Sequence, residues 1–226
     1  LVGDNGMKYS ALMYVPKNAT NETPAPVIAM YHGNSGNARN HESWAVEYSR
    51  RGFVVLSVDN LGSGDAEYSN SLGRYVVPDL FTDYLLSLPF VDPDRFVTSG
   101  HSLGGDIVVE MTLKYHPVVS MLSDGGAASF AAAENIYDGN ILILNGGADK
   151  LNEVNSYRET TRQLFIKNGT MTADQEIVPG QVYGSFEDGN ANLLVEIPDQ
   201  IHEAAFINAD HIAALLDFTQ KSIEVP

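Results

Sequence analysis

The segment Gly100-His101-Ser102-Leu103-Gly104-Gly105 is the stretch of sequence that most clearly indicates the fold. It follows Phe96-Val97-Thr98, which is typical of a strand, and precedes residues 106–115, which have a helical period. A strand that turns sharply into a helix through Gly-x-Ser-x-Gly presents its serine hydroxyl at the carboxyl end of a sheet. The glycines leave room for neighbouring backbone, and the helix N-terminus favours negative charge beside the serine. Ser102 is therefore the predicted nucleophile.

The remaining chain alternates stretches rich in β-branched and aromatic residues with stretches of helical period. This alternation predicts an α/β fold, a mostly parallel central sheet with helices on both faces, within one domain spanning residues 1–226. The predicted strands are residues 8–15, 27–31, 53–58, 96–98, 118–122, 141–144, 181–186 and 193–197. The predicted helices are residues 41–51, 79–88, 106–115, 154–167 and 212–223. Asp188-Gly189 favours a tight hairpin turn between the last two strands, which would either shape the substrate entrance or lie apart from it.

Composition excludes several classes of function. A formal charge of −16, from 13 basic and 29 acidic side chains, speaks against binding to nucleic acids or anionic membranes. It favours a neutral or cationic small-molecule or acylated substrate, and no obligate protein partner is inferred. The absence of cysteine rules out disulfides and thiolate catalysis. The histidines and acids lack the spacing of known metal sites, so we expect neither a metal nor another cofactor.

The location of the protein is inferred from weaker features. The sequence contains neither an apolar run of bilayer length nor a signal peptide at its start. It begins at Leu1 and soon enters a strand-like segment, as a piece trimmed from a longer protein would. Together with the acidity and the lack of cysteine, this favours an extracytoplasmic bacterial protein, either secreted or anchored.

The Gly-His-Ser-Leu-Gly-Gly turn, in this order of elements, resembles the nucleophile elbow of the α/β-hydrolase family. The resemblance extends from the strand at residue 27 to the final helix. It implies a serine esterase that works through a Ser-His-Asp triad and an acyl-enzyme. The family often inserts a lid after the strand at residues 118–122, but residues 124–140 are few and mostly small. We therefore expect no large lid and an open pocket for short or accessible acyl groups.

The family order of serine, acid and histidine implies where the partners of Ser102 lie. His202 follows the strand at residues 193–197, where the family presents its base. His211 is the alternative, but its place at a helix start suggests an exposed side chain. Asp149 follows the strand at residues 141–144 in a Gly-x-x-Asp turn of the family type, and Asp124, after the preceding strand, is the alternative acid.

Backbone amides are expected to bind the oxyanion of the tetrahedral intermediate. Leu103 supplies one amide by its position after the nucleophile. His32-Gly33-Asn34 resembles the family's His-Gly-x segment, so Asn34 is the second candidate, with Ser35 in reserve. His32 and His101 are expected to be structural neighbours of the site. An esterase is the favoured function, a thioesterase or peptidase with the same triad is second, and a non-catalytic binding domain is third.

Overall fold

The structure is a computed structural model that describes residues 1–3, 6–73 and 75–223. Its strands are β1 (Ala11–Tyr14), β2 (Ala25–Tyr31), β3 (Val54–Val58), β4 (Val91–His101), β5 (Val119–Ser123), β6 (Asn140–Gly146), β7 (Val182–Tyr183) and β8 (Asn192–Ile197). Among the described residues they form one sheet in the order β1-β3-β2-β4-β5-β6-β8-β7. In this sheet order, all neighbouring strands from β3 through β2, β4, β5 and β6 to β8 are parallel. The edge strand β1 pairs antiparallel with β3, and the edge strand β7 pairs antiparallel with β8.

The central strands are continuous apolar runs because helices cover both faces of the sheet. Every residue of β3, β5 and β6 is buried. On one face lie α1 (Glu42–Arg50) and α6 (Ala209–Ile223), which contribute Trp44, Tyr48 and Phe218 to the core. The other face is covered by α2 (Val76–Leu86), α3 (Leu103–Tyr115), α4 (Ala127–Ala132) and α5 (Val154–Lys167).

The described part of the chain also contains two short 3-10 helices, Ala38–His41 and His202–Phe206. Within the described ranges, no helix has the length and apolar character needed to cross a membrane. The predicted mostly parallel sheet with helices on both faces is confirmed. The segment between β5 and β6 contains only the six-residue α4, in place of the larger insertion that a lid would need.

The predicted tight hairpin at Asp188-Gly189 is wrong. Strands β7 and β8 do pair antiparallel, but residues 184–191 separate them and β7 has only two residues. The ring of Phe186 lies 5.2 Å from that of Phe218 on α6, so this segment leaves the sheet and packs a partly buried aromatic side chain against the core. Asp188-Gly189 lies inside a local turn that the Gly189 amide closes by donating to the Phe186 carbonyl.

The parallel strands end at a common edge of the sheet, and this edge gathers the candidate site residues. Segments that follow β2, β4, β5, β6 and β8 carry Asn34, Ser102, Asp124, Asp149 and His202 respectively. In open α/β sheets, ligands bind outside the carboxyl ends of the strands. The fold therefore places residues that are far apart in the chain around one potential site.

Candidate active site

Ser102 lies on a strained turn between β4 and α3. Its backbone has φ 56° and ψ −121°, a conformation that non-glycine residues rarely adopt and that usually marks a functional position. The Ser102 amide donates to the Ser123 carbonyl at 2.8 Å, and the Ser102 carbonyl accepts from the Gly105 amide at 2.8 Å. These bonds hold the turn from both sides.

The glycines of this turn are required by close backbone contacts. A Cβ placed on Gly104 would lie 1.9 Å from the Tyr31 carbonyl oxygen, and one on Gly100 would lie 2.2 Å from the Gly104 oxygen. Gly125, which was not among the predicted site residues, meets the turn from β5, since its Cβ would lie 2.2 Å from the Ser102 oxygen. The turn is therefore packed against two neighbouring strand ends, and the Ser102 side chain is directed by that packing.

Asp149 and His202 are joined by a hydrogen bond of 2.8 Å between Oδ2 and Nδ1. Burial raises the pKa of Asp149, but hydrogen bonds from His202, Asn152 and Leu151 outweigh it and leave the pKa below its usual value. The carboxylate is thus ionised at neutral pH and accepts the Nδ1 proton of His202. This tautomer leaves Nε2 of His202 available as a proton acceptor.

His101 packs against His202, the candidate base. Its Nε2 lies 2.8 Å from the His202 carbonyl oxygen, to which it donates, and its ring packs 4.6 Å from that of His202. Burial, followed by the neighbouring His202, lowers the pKa of His101 to about 4. His101 is therefore neutral near pH 7 and holds the backbone of His202 through this hydrogen bond.

The loop after β2 approaches Ser102 closely. A Cβ on Gly33 would lie 3.0 Å from the Ser102 Cβ. The backbone N–H of Asn60 donates to His32 Nε2 at 3.0 Å. His32 Nδ1 therefore carries the ring proton and donates to the Gly33 carbonyl at 2.7 Å. His32 thereby holds the loop that carries Asn34. Leu103 is the first residue of α3, and its amide has no acceptor within the helix.

Ser102 and His202 share the wall of one cavity of about 420 Å³. Asn34 and Ser35 also contribute to this wall, which places both candidate loop residues for the oxyanion beside the serine. The full lining is Gly33, Asn34, Ser35, Gly36, Asn40, His101, Ser102, Leu151, His202, Glu203 and Phe206. The structure thus brings Ser102, His202, Asn34 and Ser35 to one cavity, with Asp149 bonded directly behind the histidine.

Solved structures share this architecture. Est1E from Butyrivibrio proteoclasticus, solved with ferulic acid, matches with a TM-score of 0.68 at 17% identity over 97% of this chain and 96% of that chain. The butyrate-bound esterase Est2 of Thermogutta terrifontis matches at 0.68 and 14% over 98% and 92%. The α/β-hydrolase GrgF from Penicillium sp. sh18 matches at 0.67 and 10% over 99% and 97%. This chain has the α/β-hydrolase fold.

The sequence relationships of this chain are more limited. A curated protein of Mycobacterium phage D29, named as a non-heme haloperoxidase, is 31% identical over 124 residues. Those residues are 54% of this chain and 43% of the curated relative, so the match spans less than half of that protein's length. No protein-family profile matches the chain. The predicted resemblance to the α/β-hydrolase family is confirmed at the level of the fold.

The alternative acid Asp124 does not bond to the candidate base, His202. Its Oδ1 accepts from the Gly146 amide at 2.6 Å and its Oδ2 from Gln200 Nε2 at 3.1 Å. The residue is fully buried, and this burial, against the opposing Gly146 hydrogen bond, raises the pKa of Asp124 to about 7. Asp124 therefore ties the end of β6 to the loop that carries His202.

The expectation that His211 is exposed is wrong, since the side chain has no exposed surface. Gln200 uses its Nε2 to bond Asp124, so its Oε1 accepts from His211 Nδ1 at 3.1 Å. His211 Nε2 is then unprotonated and accepts from Ser123 Oγ at 3.0 Å. The first turn of α6 faces the sheet here, which buries a residue that its position in the sequence suggested was exposed.

Gln200 is the residue of this network that sequence reasoning missed. Besides its two side-chain bonds, its backbone carbonyl accepts from the Ala148 amide at 2.9 Å, next to Asp149. Gln200 therefore links the loop of the candidate acid to the loop of the candidate base. A glutamine two residues before a histidine carries no recognisable signal, because its role depends on partners from β5, β6 and α6.

Burial of neutral His211 makes the stability of the protein depend on pH. Burial, followed by the nearby His101, lowers the pKa of His211 to about 3. The unfolded chain binds a proton at His211 below a pKa of about 6.5, whereas the folded chain does not until about pH 3, so this contribution to stability is present above pH 6.5 and is lost as the pH falls. The loss between pH 7.5 and pH 5 is about 2 kcal/mol.

Urea denaturation at pH 7.5 and pH 5 measures this contribution. We expect the free energy of unfolding of the native protein to fall by about 2 kcal/mol more than that of His211→Gln over this range. The raised pKa of Asp124 acts in the opposite direction, but it is present in both proteins and is removed by the comparison. Equal losses in the two proteins would contradict the assignment of His211 as a buried neutral group.

Proposed function

We propose that this α/β-hydrolase cleaves carboxylic esters with Ser102 as nucleophile, His202 as general base and acid, and Asp149 as the group that orients the imidazole. The observation that carries the proposal is the 2.8 Å hydrogen bond between His202 Nδ1 and Asp149 Oδ2, behind a cavity wall that His202 shares with Ser102. A serine hydroxyl is a weak nucleophile at neutral pH and requires such a base. The strained backbone of Ser102 supports the assignment.

The proposed reaction has two stages. His202 Nε2 accepts the Ser102 proton as Oγ attacks the ester carbonyl, and the developing negative charge is bound by the amides of Leu103 and Asn34. The proton then passes from His202 to the leaving alcohol, the bond between carbonyl carbon and alkoxy oxygen breaks, and an acyl-enzyme remains. Water, deprotonated by His202, then attacks the acyl-enzyme carbonyl. The bond between the acyl carbon and Ser102 Oγ breaks as His202 returns its proton to Oγ, so the carboxylic acid is released and the Ser102 hydroxyl is restored.

Small neutral or cationic esters fit the surroundings of Ser102 best. The exposed carboxylate of Glu203 lines the cavity next to His202, and the chain has a net charge of −16, so an anionic leaving group would be repelled. The short α4 leaves this edge without a bulky apolar cover. The ferulic acid bound to Est1E and the butyrate bound to Est2 in the structural relatives support only the small size of the acyl group.

Rapid-mixing assays with p-nitrophenyl acetate test the proposal. We expect a burst of p-nitrophenol of about one equivalent per chain where acylation is faster than deacylation, and steady turnover after it. A fluorophosphonate probe is expected to block this turnover and to add its mass to the peptide that contains Ser102. Parallel assays with a thioacetate and an acetanilide distinguish an esterase from a thioesterase or an amidase.

Three outcomes would count against the proposed function. Native protein that neither hydrolyses these substrates nor reacts with the probe would indicate the non-catalytic alternative. Labelling confined to another serine would show that a different nucleophile is used. Faster turnover of the thioacetate than of the ester, after correction for the intrinsic reactivity of each substrate, would favour the thioesterase alternative.

A further inference from the structure

A second cavity of about 270 Å³ lies beside the one that contains Ser102 and His202. The two cavities share Gly33, Asn34 and Ser35, so the loop that holds the candidate oxyanion donor forms the wall between them. Ser102 lines the first cavity and the next residue, Leu103, lines the second. We call them the histidine-side cavity and the loop-side cavity. Both therefore border the position of the reacting carbonyl.

The mechanism determines which part of the ester occupies the histidine-side cavity. His202 must return its proton to the leaving oxygen, so the alcohol has to lie within hydrogen-bond reach of its Nε2. Among the residues that line the two cavities, His202, Glu203, Phe206 and Leu151 belong to the histidine side alone. The leaving alcohol consequently projects into this cavity.

The remaining substituent of the tetrahedral carbon then has one free direction. Ser102 Oγ occupies one position, the oxyanion faces the amides of Leu103 and Asn34, and the alcohol points to His202. On the basis of the proposed function, we propose that the acyl chain passes beside Leu103 and binds in the loop-side cavity. This pocket is built by the segment after β3, which provides Asn60, Leu61, Ser63, Tyr68, Ser69 and Leu72.

The size and lining of the loop-side cavity define the acyl group that it accepts. A volume of about 270 Å³ equals that of about nine water molecules, which suits a short chain or a single ring rather than a lipid chain. Leu61, Leu72 and Leu103 supply apolar surface, while Asn60, Ser63 and Ser69 supply polar groups. Short acyl groups, including those that carry a hydroxyl, match this mixed surface.

Two variants change the loop-side cavity with little expected effect on the core. Ser69→Trp places a bulky ring at a half-buried position, and Tyr68→Ala removes a side chain that is 71% exposed. With p-nitrophenyl acetate, butyrate and hexanoate, we expect Ser69→Trp to lower the hexanoate-to-acetate ratio of kcat/KM at least about tenfold. Tyr68→Ala is expected to raise the same ratio. Neither should change the ratio of 1-naphthyl acetate to phenyl acetate by more than about twofold.

Leu151→Trp is the matched control because Leu151 lines only the histidine-side cavity and is 72% exposed. It is expected to change the naphthyl-to-phenyl ratio and to leave the hexanoate-to-acetate ratio unaltered. The proposal is overturned if variants of Ser69 and Tyr68 change leaving-group selectivity instead, or leave acyl selectivity unchanged. If Ser69→Trp does not fold, Tyr68→Ala decides the matter alone. Failure of the native protein to hydrolyse any acetate would instead refute the proposed function.

Discussion

Ser102→Ala is expected to lower kcat/KM for p-nitrophenyl acetate by roughly 10⁴ to 10⁶-fold, because no acyl-enzyme forms without the Ser102 hydroxyl. Alanine retains the Cβ of serine and meets the same backbone strain at φ 56°, so the fold should be unchanged. The remaining activity would come from the oxyanion amides and from substrate binding alone. Steady-state kinetics, together with the loss of fluorophosphonate labelling, measures the effect.

Ser99→Ala is the matched control for this substitution. Ser99 lies on β4 three residues before Ser102, is fully buried, and its hydroxyl has no hydrogen-bond partner in the part of the chain that the structure describes. Removing that hydroxyl leaves no partner unsatisfied, so activity and labelling should remain close to those of the native protein. A large loss in Ser99→Ala, or substantial turnover in Ser102→Ala, would refute the assignment of Ser102.

Asp149→Asn is the second substitution with a large expected effect. The amide would offer either an N–H to the Nδ1 of His202 or a weaker, neutral acceptor, and the first case forces the proton onto Nε2. His202 would then be unable to accept the Ser102 proton. We expect kcat for p-nitrophenyl acetate to fall by about 10⁴-fold with the fold retained, the magnitude known for an equivalent change in another serine hydrolase.

Asp124→Asn distinguishes the two candidate acids. The asparagine oxygen can still accept from the Gly146 backbone amide. Its new N–H₂ group can donate to Gln200 Oε1 if the side-chain amide of Gln200 rotates by about half a turn. His211 would then accept at Nδ1 and donate from Nε2 to Ser123 Oγ, whose hydroxyl rotates. Since this network can reverse its direction, we expect kcat to fall by less than about tenfold, with most of the cost in stability. A larger loss of kcat in Asp124→Asn than in Asp149→Asn would identify Asp124 as the acid.

Much of the fold could be predicted from the sequence because its signals are local. The strand, turn and helix around Ser102 are contiguous in the chain. Positions 100 and 104 require glycine because a Cβ at either would lie 2.2 Å or less from a backbone oxygen. Parallel strands buried on both faces read as apolar runs, as in Ile141-Leu142-Ile143-Leu144. The tight hairpin at Asp188-Gly189 was mispredicted because Phe186 packs against Phe218, a contact between segments that are distant in sequence and that local turn preferences do not reveal.

The sequence by itself determined the order of strands and helices, the nucleophile turn and the small set of acids and histidines that follow it. Only the tertiary structure decided which of them meet, because strand order places the ends of β5, β6 and β8 side by side and each carries a polar residue. Asp149 bonds to His202, whereas Asp124 and His211 are joined through Gln200 in a separate buried network. Residue type and spacing are the same for either arrangement, and the difference lies in contacts between segments that are remote in the chain.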